Sequence, residues 1–174
     1  MKIETLKWFI KNRLSAEDPV VEDPGFEVAR IWSTLLTWFY SIRSGYTTGP
    51  EMSVGEGSAA FSTRHLIFDA GECTTLIVQC RPPKYETDTS TWNDCIVQLS
   101  DQLCSFAAEV GTPLLGGIRH FGAIGIGKLV RFYEWKRDQQ RILNVASNDA
   151  CFYIDRQCET VTHWLEYFRD NHRW

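Results

Sequence analysis

The stretch Leu76-Ile77-Val78-Gln79-Cys80-Arg81-Pro82 decides how this chain folds. Its aliphatic start reads as a short buried strand, and Pro82-Pro83 ends it because proline offers no N–H to a ladder. Its last residues are unusual: an amide, a thiol and a guanidinium close an otherwise apolar strand. Upstream, Ala59 to Phe68 reads as a partner strand. Between the two, Asp69-Ala70-Gly71-Glu72 carries the Asp and Gly of a hairpin turn. A turn near Ala70-Gly71 would set Gln79 opposite Ser62 or Thr63. It would put Asp69 at the turn, about 16 Å along the strand from Gln79.

Helical patterns flank this hairpin. Val28, Ile31, Trp32, Leu35, Leu36, Phe39 and Ile42 recur at helical spacing, and Gly45 is a natural stop. Trp92, Cys95, Ile96, Leu99, Leu103, Phe106 and Val110 form a second stripe, with Thr91 as the expected N-cap and Gly111-Thr112-Pro113 as the stop. Gly117 to Ile126 and Leu129 to Trp135 read as a hairpin turning at Gly127-Lys128, followed by a short strand at Ile142 to Val145. A last helix buries Cys158, Val161, Leu165 and Phe168, with Asp155 as the expected cap. A short amphipathic helix is predicted over residues 2–14, and Tyr46 to Gly57 reads as loop with a short strand. The order predicts an α/β domain, a central mixed sheet covered by helices.

The bulk numbers agree with one soluble domain over residues 1–174, its core spanning about 26–168. Of the 174 residues, 44% are hydrophobic and 23% charged, an ordinary globular balance. No apolar run is long enough to span a membrane, and no signal-like leader opens the chain, so an intracellular location (cytoplasm or nucleus) and no membrane partner are expected. Six cysteines fall in no metal-binding spacing and read as buried thiols. The net charge of −4 disfavours broad binding to duplex DNA, which depends on neutralising phosphates.

An ordered set of motifs adds a resemblance. Gly49-Pro50-Glu51, Gly55-Glu56-Gly57-Ser58, Leu76 to Arg81, Trp92 with Gln98-Leu99, and Ile124-Gly125-Ile126-Gly127-Lys128-x-Val130-Arg131-Phe132-Tyr133 together resemble a group of uncharacterised fungal proteins. Those look like members of the PD-(D/E)XK nuclease-like superfamily, with a restriction-endonuclease-like core. The resemblance runs from about residue 26 to 168. It implies a helix, a three-strand meander, a second helix and further strands, with carboxylates and a lysine converging on Mg²⁺ at one sheet edge. There the cation activates water and neutralises phosphate charge.

Under that resemblance Gln79 and Arg81 occupy the positions of the acid and the lysine. Gln79 brings no negative charge, and arginine does not give up a proton. The facing run Ser62-Thr63-Arg64-His65 has no carboxylate either. Glu51 and Glu56 of the Gly-rich loop, with Asp69, are the acids that would hold Mg²⁺ in an active enzyme, and Glu27 is the only acid near the start of the first helix.

Three functions stay open. The favoured one is a catalytically degenerate binding or interaction module, needing no cofactor, with nucleic acid or another protein as partner. The second is a Mg²⁺-dependent nuclease with relocated acids, acting through Gln79, Arg81 and Asp69. The third is a small-molecule enzyme reusing a cationic pocket between Gln79, Arg81, Arg64 and His65.

Further binding candidates are Gln98, Lys128 and Arg131. Gln98-x-x-x-Gln102 resembles an exonuclease helix signature without its tyrosine, and its plainer reading is a solvated helix edge. Gly125-x-Gly127-Lys128 reads as a turn rather than a phosphate cradle. The basic run from Lys128 to Arg141 is either a nucleic-acid surface or a charged edge strand, with Arg131, Tyr133 and Trp135 exposed. A Cys80–His65 pair across the hairpin is the remaining thiol-enzyme arrangement.

Overall fold

A computed structural model describes residues 4, 5, 8, 24–50, 59–67, 71–109, 119–146 and 150–172, with side chains omitted at 24–26, 50, 59–67, 71–73 and 109. Helix α1 (Pro24–Phe39) leads through a short 3-10 turn into strands β1 (Tyr46–Pro50), β2 (Ala59–Ile67) and β3 (Gly71–Arg81). Helix α2 (Thr89–Glu109) follows, then β4 (Phe121–Ile126), β5 (Leu129–Lys136), β6 (Arg141–Asn144), β7 (Phe152–Tyr153) and helix α3 (Cys158–Asn171). Of the helix expected over 2–14, Glu4, Thr5 and Trp8 are described, and all three are helical.

The strands form one mixed sheet in the order β1-β2-β3-β4-β5-β6, and β7 pairs with β5 beside β6. Strands β1, β2 and β3 are an antiparallel meander. Helix α2 then returns the chain so that β4 runs parallel to β3. A parallel neighbour demands such a crossover, which a tight turn cannot supply. The remaining pairs are antiparallel.

Alternation along the strands divides the core between the two faces. Leu76, Val78, Cys80, Phe121, Ala123, Val130 and Phe132 pack with α1 and α3. Ile77, Ile124, Ile126, Tyr133 and Trp135 pack with α2. Strand β4 is thin enough to let both helices close in. A Cβ on Gly125 would lie 2.2 Å from Trp32 Nε1 of α1, and one on Gly122 would lie 2.7 Å from Leu99 Cδ2 of α2. The glycine of the 125–128 motif therefore serves an indole, while Gly127 turns the β4–β5 hairpin at φ +55.

Several boundaries differ from expectation. The first helix ends at Phe39 rather than running to Ile42, which is 79% exposed in the 3-10 turn. Gly45 closes that turn in the left-handed region at φ 82. The second helix starts at Thr89, and Asp88 rather than Thr91 caps it: the Asp88 carboxylate accepts the Ser90 backbone N–H at 3.0 Å and the Ser90 hydroxyl at 2.7 Å. These hydrogen bonds, those of the Thr91 and Ser90 hydroxyls first, hold the Asp88 carboxyl below its usual range. The last helix starts at Cys158, and Gln157 occupies its cap with its side chain accepting the Tyr153 N–H rather than a helical one, so Asp155 is not the cap.

The register of the β2–β3 hairpin also differs. Gln79 is opposite Ala60, while Ser62 and Thr63 face Ile77 and Leu76. An irregularity between Thr63 and Arg64 leaves Thr75 as an extra residue on β3, as in a β-bulge. Strand β5 is no edge strand, since β4 covers one side and β6 with β7 the other. Tyr133 (4% exposed) and Trp135 (8%) are consequently buried under α2 rather than presented to solvent.

Candidate functional site at the end of β3

Gln79 and Arg81 alternate with Val78 and Cys80, so they share the face of Ile77 and point at α2. Both are buried, at 2% and 8% exposure. An unmatched amide or guanidinium there is costly, and the helix supplies the matching groups. The Gln79 amide has one end 3.1 Å from the Cys95 carbonyl, and the other 3.1 Å from the Leu99 N–H and 3.0 Å from the Gln102 amide. The hydrogen-bond network orients it with nitrogen donating to the Cys95 carbonyl and oxygen accepting from the Leu99 N–H and, with the Gln102 amide turned to present its nitrogen, from Gln102. Arg81 Nη2 donates to Gln98 Oε1 at 2.8 Å, and Nη1 to the Cys80 carbonyl at 3.3 Å.

Cys95, Gln98, Leu99 and Gln102 follow helical i, i+3, i+4 spacing, so one stripe of α2 meets both strand residues. The Gln98-x-x-x-Gln102 pattern is thus a half-buried docking stripe rather than a solvated edge. Cys95 and Gln102 were not singled out as partners of this edge; their spacing from Gln98 carried the signal.

The thiols here are not activated. Burial drives the Cys80 thiol far above its ordinary value, against the pull of Arg81. Burial likewise raises Cys95, with Arg81 opposing. The Cys80–His65 pair does not form, because His65 is opposite Cys73, about 23 Å along the strand from Cys80. Arg64 is opposite Thr74, five residues or about 16 Å from Gln79. The pocket expected between Gln79, Arg81, Arg64 and His65 is therefore not assembled: its two halves sit at opposite ends of the hairpin.

Arg131 shares a cross-sheet row with Ile124 and Gln79. Its guanidinium lies over the Trp92 ring at 4.4 Å, and it opposes the rise that burial gives the Cys151 thiol. Lys128 is at the hairpin turn. Its backbone N–H donates to Glu86 Oε1 at 2.6 Å, and its ammonium lies 3.9 Å from Asp155 Oδ2. At the far end of β5, Lys136 pairs with Glu134 at 2.7 Å, and Arg141 Nε donates to Gln139. The basic run is divided by the length of β5, so it does not make one continuous surface.

Asp69, Glu51 and Glu56 lie outside the described residues. Among the described residues, no group of three or more His, Cys, Asp or Glu side chains is placed to hold a metal ion. The donors at this edge do not fit Mg²⁺, which takes oxygen ligands and favours carboxylates. The amide oxygen of Gln79 is turned to the Leu99 N–H, and its neighbour is a fixed cation. No helix among the described residues is long and apolar enough to cross a membrane. No family model, no curated protein and no solved structure matches this chain.

Proposed function

We propose that the chain is a non-catalytic binding module built on a PD-(D/E)XK nuclease-like layout. The element order supports the layout: helix, antiparallel meander, second helix, then a strand parallel to the third. The observation that carries the non-catalytic reading is the use made of Gln79 and Arg81. Their polar atoms are taken up by Cys95, Gln98, Leu99 and Gln102, so the residues at the positions of acid and lysine clamp β3 to α2. A hydrolytic site needs negative oxygen ligands free to hold a cation, and this edge presents a filled amide and a guanidinium.

One observation favours a second reading, a Mg²⁺-dependent nuclease. Pro50 pairs with Phe61, and Ala59 is opposite Cys80. The segment carrying Glu51 and Glu56 thus departs and returns at the sheet end that holds Gln79 and Arg81.

Incubation of the full chain with plasmid and oligonucleotides, with Mg²⁺ or Mn²⁺, separates the two. The module leaves both substrates intact, with at most weak binding that falls with added salt. Metal-dependent cleavage abolished by Glu51→Gln or Glu56→Gln, and by Gln79→Ala, would overturn the proposal.

A further inference from the structure

On the opposite face of the sheet, β5, β6 and α3 enclose a cleft of about 390 Å³. Glu134 and Lys136 line it from β5, Leu143 from β6, and His163, Trp164 and Tyr167 from α3. Its origin is geometric. Strand β6 is short and pairs only with the last residues of β5, from Tyr133 to Lys136. Helix α3 stacks Phe168 on Phe121 of β4 at 4.3 Å, and its preceding turn leaves Trp164 half-buried beside the outer strands.

The walls are of two kinds. Trp164 and Tyr167 meet edge to face at 5.6 Å, so aromatic surface and Leu143 form the apolar side. Opposite them is a charge chain. Arg119 Nε donates to Glu134 Oε1 at 2.8 Å, Lys136 Nζ lies 2.7 Å from Glu134 Oε2, and Arg119 Nη2 reaches the Tyr167 hydroxyl at 3.1 Å. Burial raises the Glu134 carboxyl, but the hydrogen bonds from Arg119 and Lys136 outweigh it and hold the group below its ordinary range. Glu134 is therefore ionised at neutral pH, with each oxygen already facing a cation. The reachable member of this chain is Lys136, whose side chain is 34% accessible against 9% for Glu134.

We infer that this cleft binds a small planar aromatic anion, its ring against Trp164 and Tyr167 and its carboxylate or phosphate on Lys136. A ring gains apolar contact and edge-to-face geometry from the aromatic wall. The anion meets the reachable Lys136 ammonium, and Glu134, held by its two partners, does not present a free repelling oxygen. A cleft of this size with a few convergent polar groups suits a ligand of one or two rings. The inference deepens the binding reading, yet it concerns the other sheet face, so its failure is read separately from any result of the cleavage assay.

The test is a ¹⁵N-resolved NMR titration of the full chain, following the Trp164 indole N–H assigned through Trp164→Phe. AMP and indole-3-acetate supply a ring with an anion from two sources. Adenosine supplies the ring alone, and inorganic phosphate the charge alone. A saturable shift of the Trp164 signal with AMP or indole-3-acetate is expected, and which of the two binds tighter distinguishes phosphate from carboxylate. Adenosine and phosphate bind at least about fivefold more weakly, and Lys136→Met weakens the ring-bearing anion by about fivefold, the scale of one partly exposed charge contact. Leu143→Trp, which fills the cleft, abolishes the shift and serves if Lys136→Met fails to fold. Absence of a shift with both ring-bearing anions, equal affinity for phosphate alone, or unchanged affinity in a folded Lys136→Met or Leu143→Trp protein would overturn the inference.

Discussion

The end of β3 and the cleft beside α3 are both polar sites on one sheet, and they differ in what is left over. At β3, amides and a guanidinium interlock with one helix stripe and no carboxylate pairs with Arg81 among the described residues. Beside α3, the charges are paired through Glu134 and an open volume remains. The first arrangement spends its hydrogen bonds on holding elements together. The second satisfies its carboxylate internally and still offers aromatic surface and a reachable ammonium. Polar residues alone therefore do not mark a binding site; what remains unfilled does.

The contrast breaks most readily at Gln79. Gln79→Ala removes a fully buried side chain and strands the Cys95, Leu99 and Gln102 groups, at a cost of about 3 kcal/mol in urea unfolding. A loss below about 0.5 kcal/mol would show that the β3 end is not a clamp, since surface substitutions fall in that range. Gln98→Ala, which takes the acceptor from Arg81, costs about 2 kcal/mol by the same measurement. Gly125→Ala drives a methyl into Trp32 and costs about 1–3 kcal/mol. It tests whether both faces depend on the same central strand.

A pH series sharpens the comparison next. His120 Nδ1 lies 2.8 Å from the Thr74 carbonyl, and burial lowers its protonation point, with Arg137 adding to burial and the carbonyl opposing. A depressed folded value means that the unfolded chain takes up the proton first. The contribution of neutral His120 is thus present above the ordinary histidine value and is lost as pH falls through the folded one. Unfolding midpoints measured from pH 7.5 down to 5.5 should decline, and less steeply in His120→Gln. Equal slopes would exclude this group as the source. The smallest effect belongs to the cleft: Lys136→Met should change stability by less than about 0.5 kcal/mol, because its pair with Glu134 is partly exposed. A large loss there would make the cleft a structural site like the other.

The α/β class, the pairing of β2 with β3 and the hairpin at Gly127-Lys128 were legible because period and turn chemistry are local, whereas the meander was only implied by the resemblance. The stripe of α1 was legible too, except at Ile42, where an apolar residue continued the period beyond the last helical turn. The β2–β3 register was not legible. Neither the extra residue Thr75 nor the closing pair Ile67–Gly71 is marked by composition, and together they moved Gln79 from Ser62 or Thr63 to Ala60. The burial of Tyr133 and Trp135 was missed because alternation distinguishes faces only when one face is wet, and α2 covers the second face here. Gln79 and Arg81 were legible as an anomaly. Their partners required knowing which stripe of α2 lies above them. The cleft left no motif, since Glu134, Lys136 and Trp164 meet only through packing.

The alternation of small and large residues in Phe121-Gly122-Ala123-Ile124-Gly125-Ile126 has one more consequence. Sliding this strand by a single position would push Ile124 or Ile126 toward the indole of α1 and present Phe121 or Ala123, respectively, to Leu99, so either neighbouring alignment collides with a helix. The two glycines thereby fix the pairing from both directions at once, and the chain is spared the slippage to which flat, uniform strands are prone.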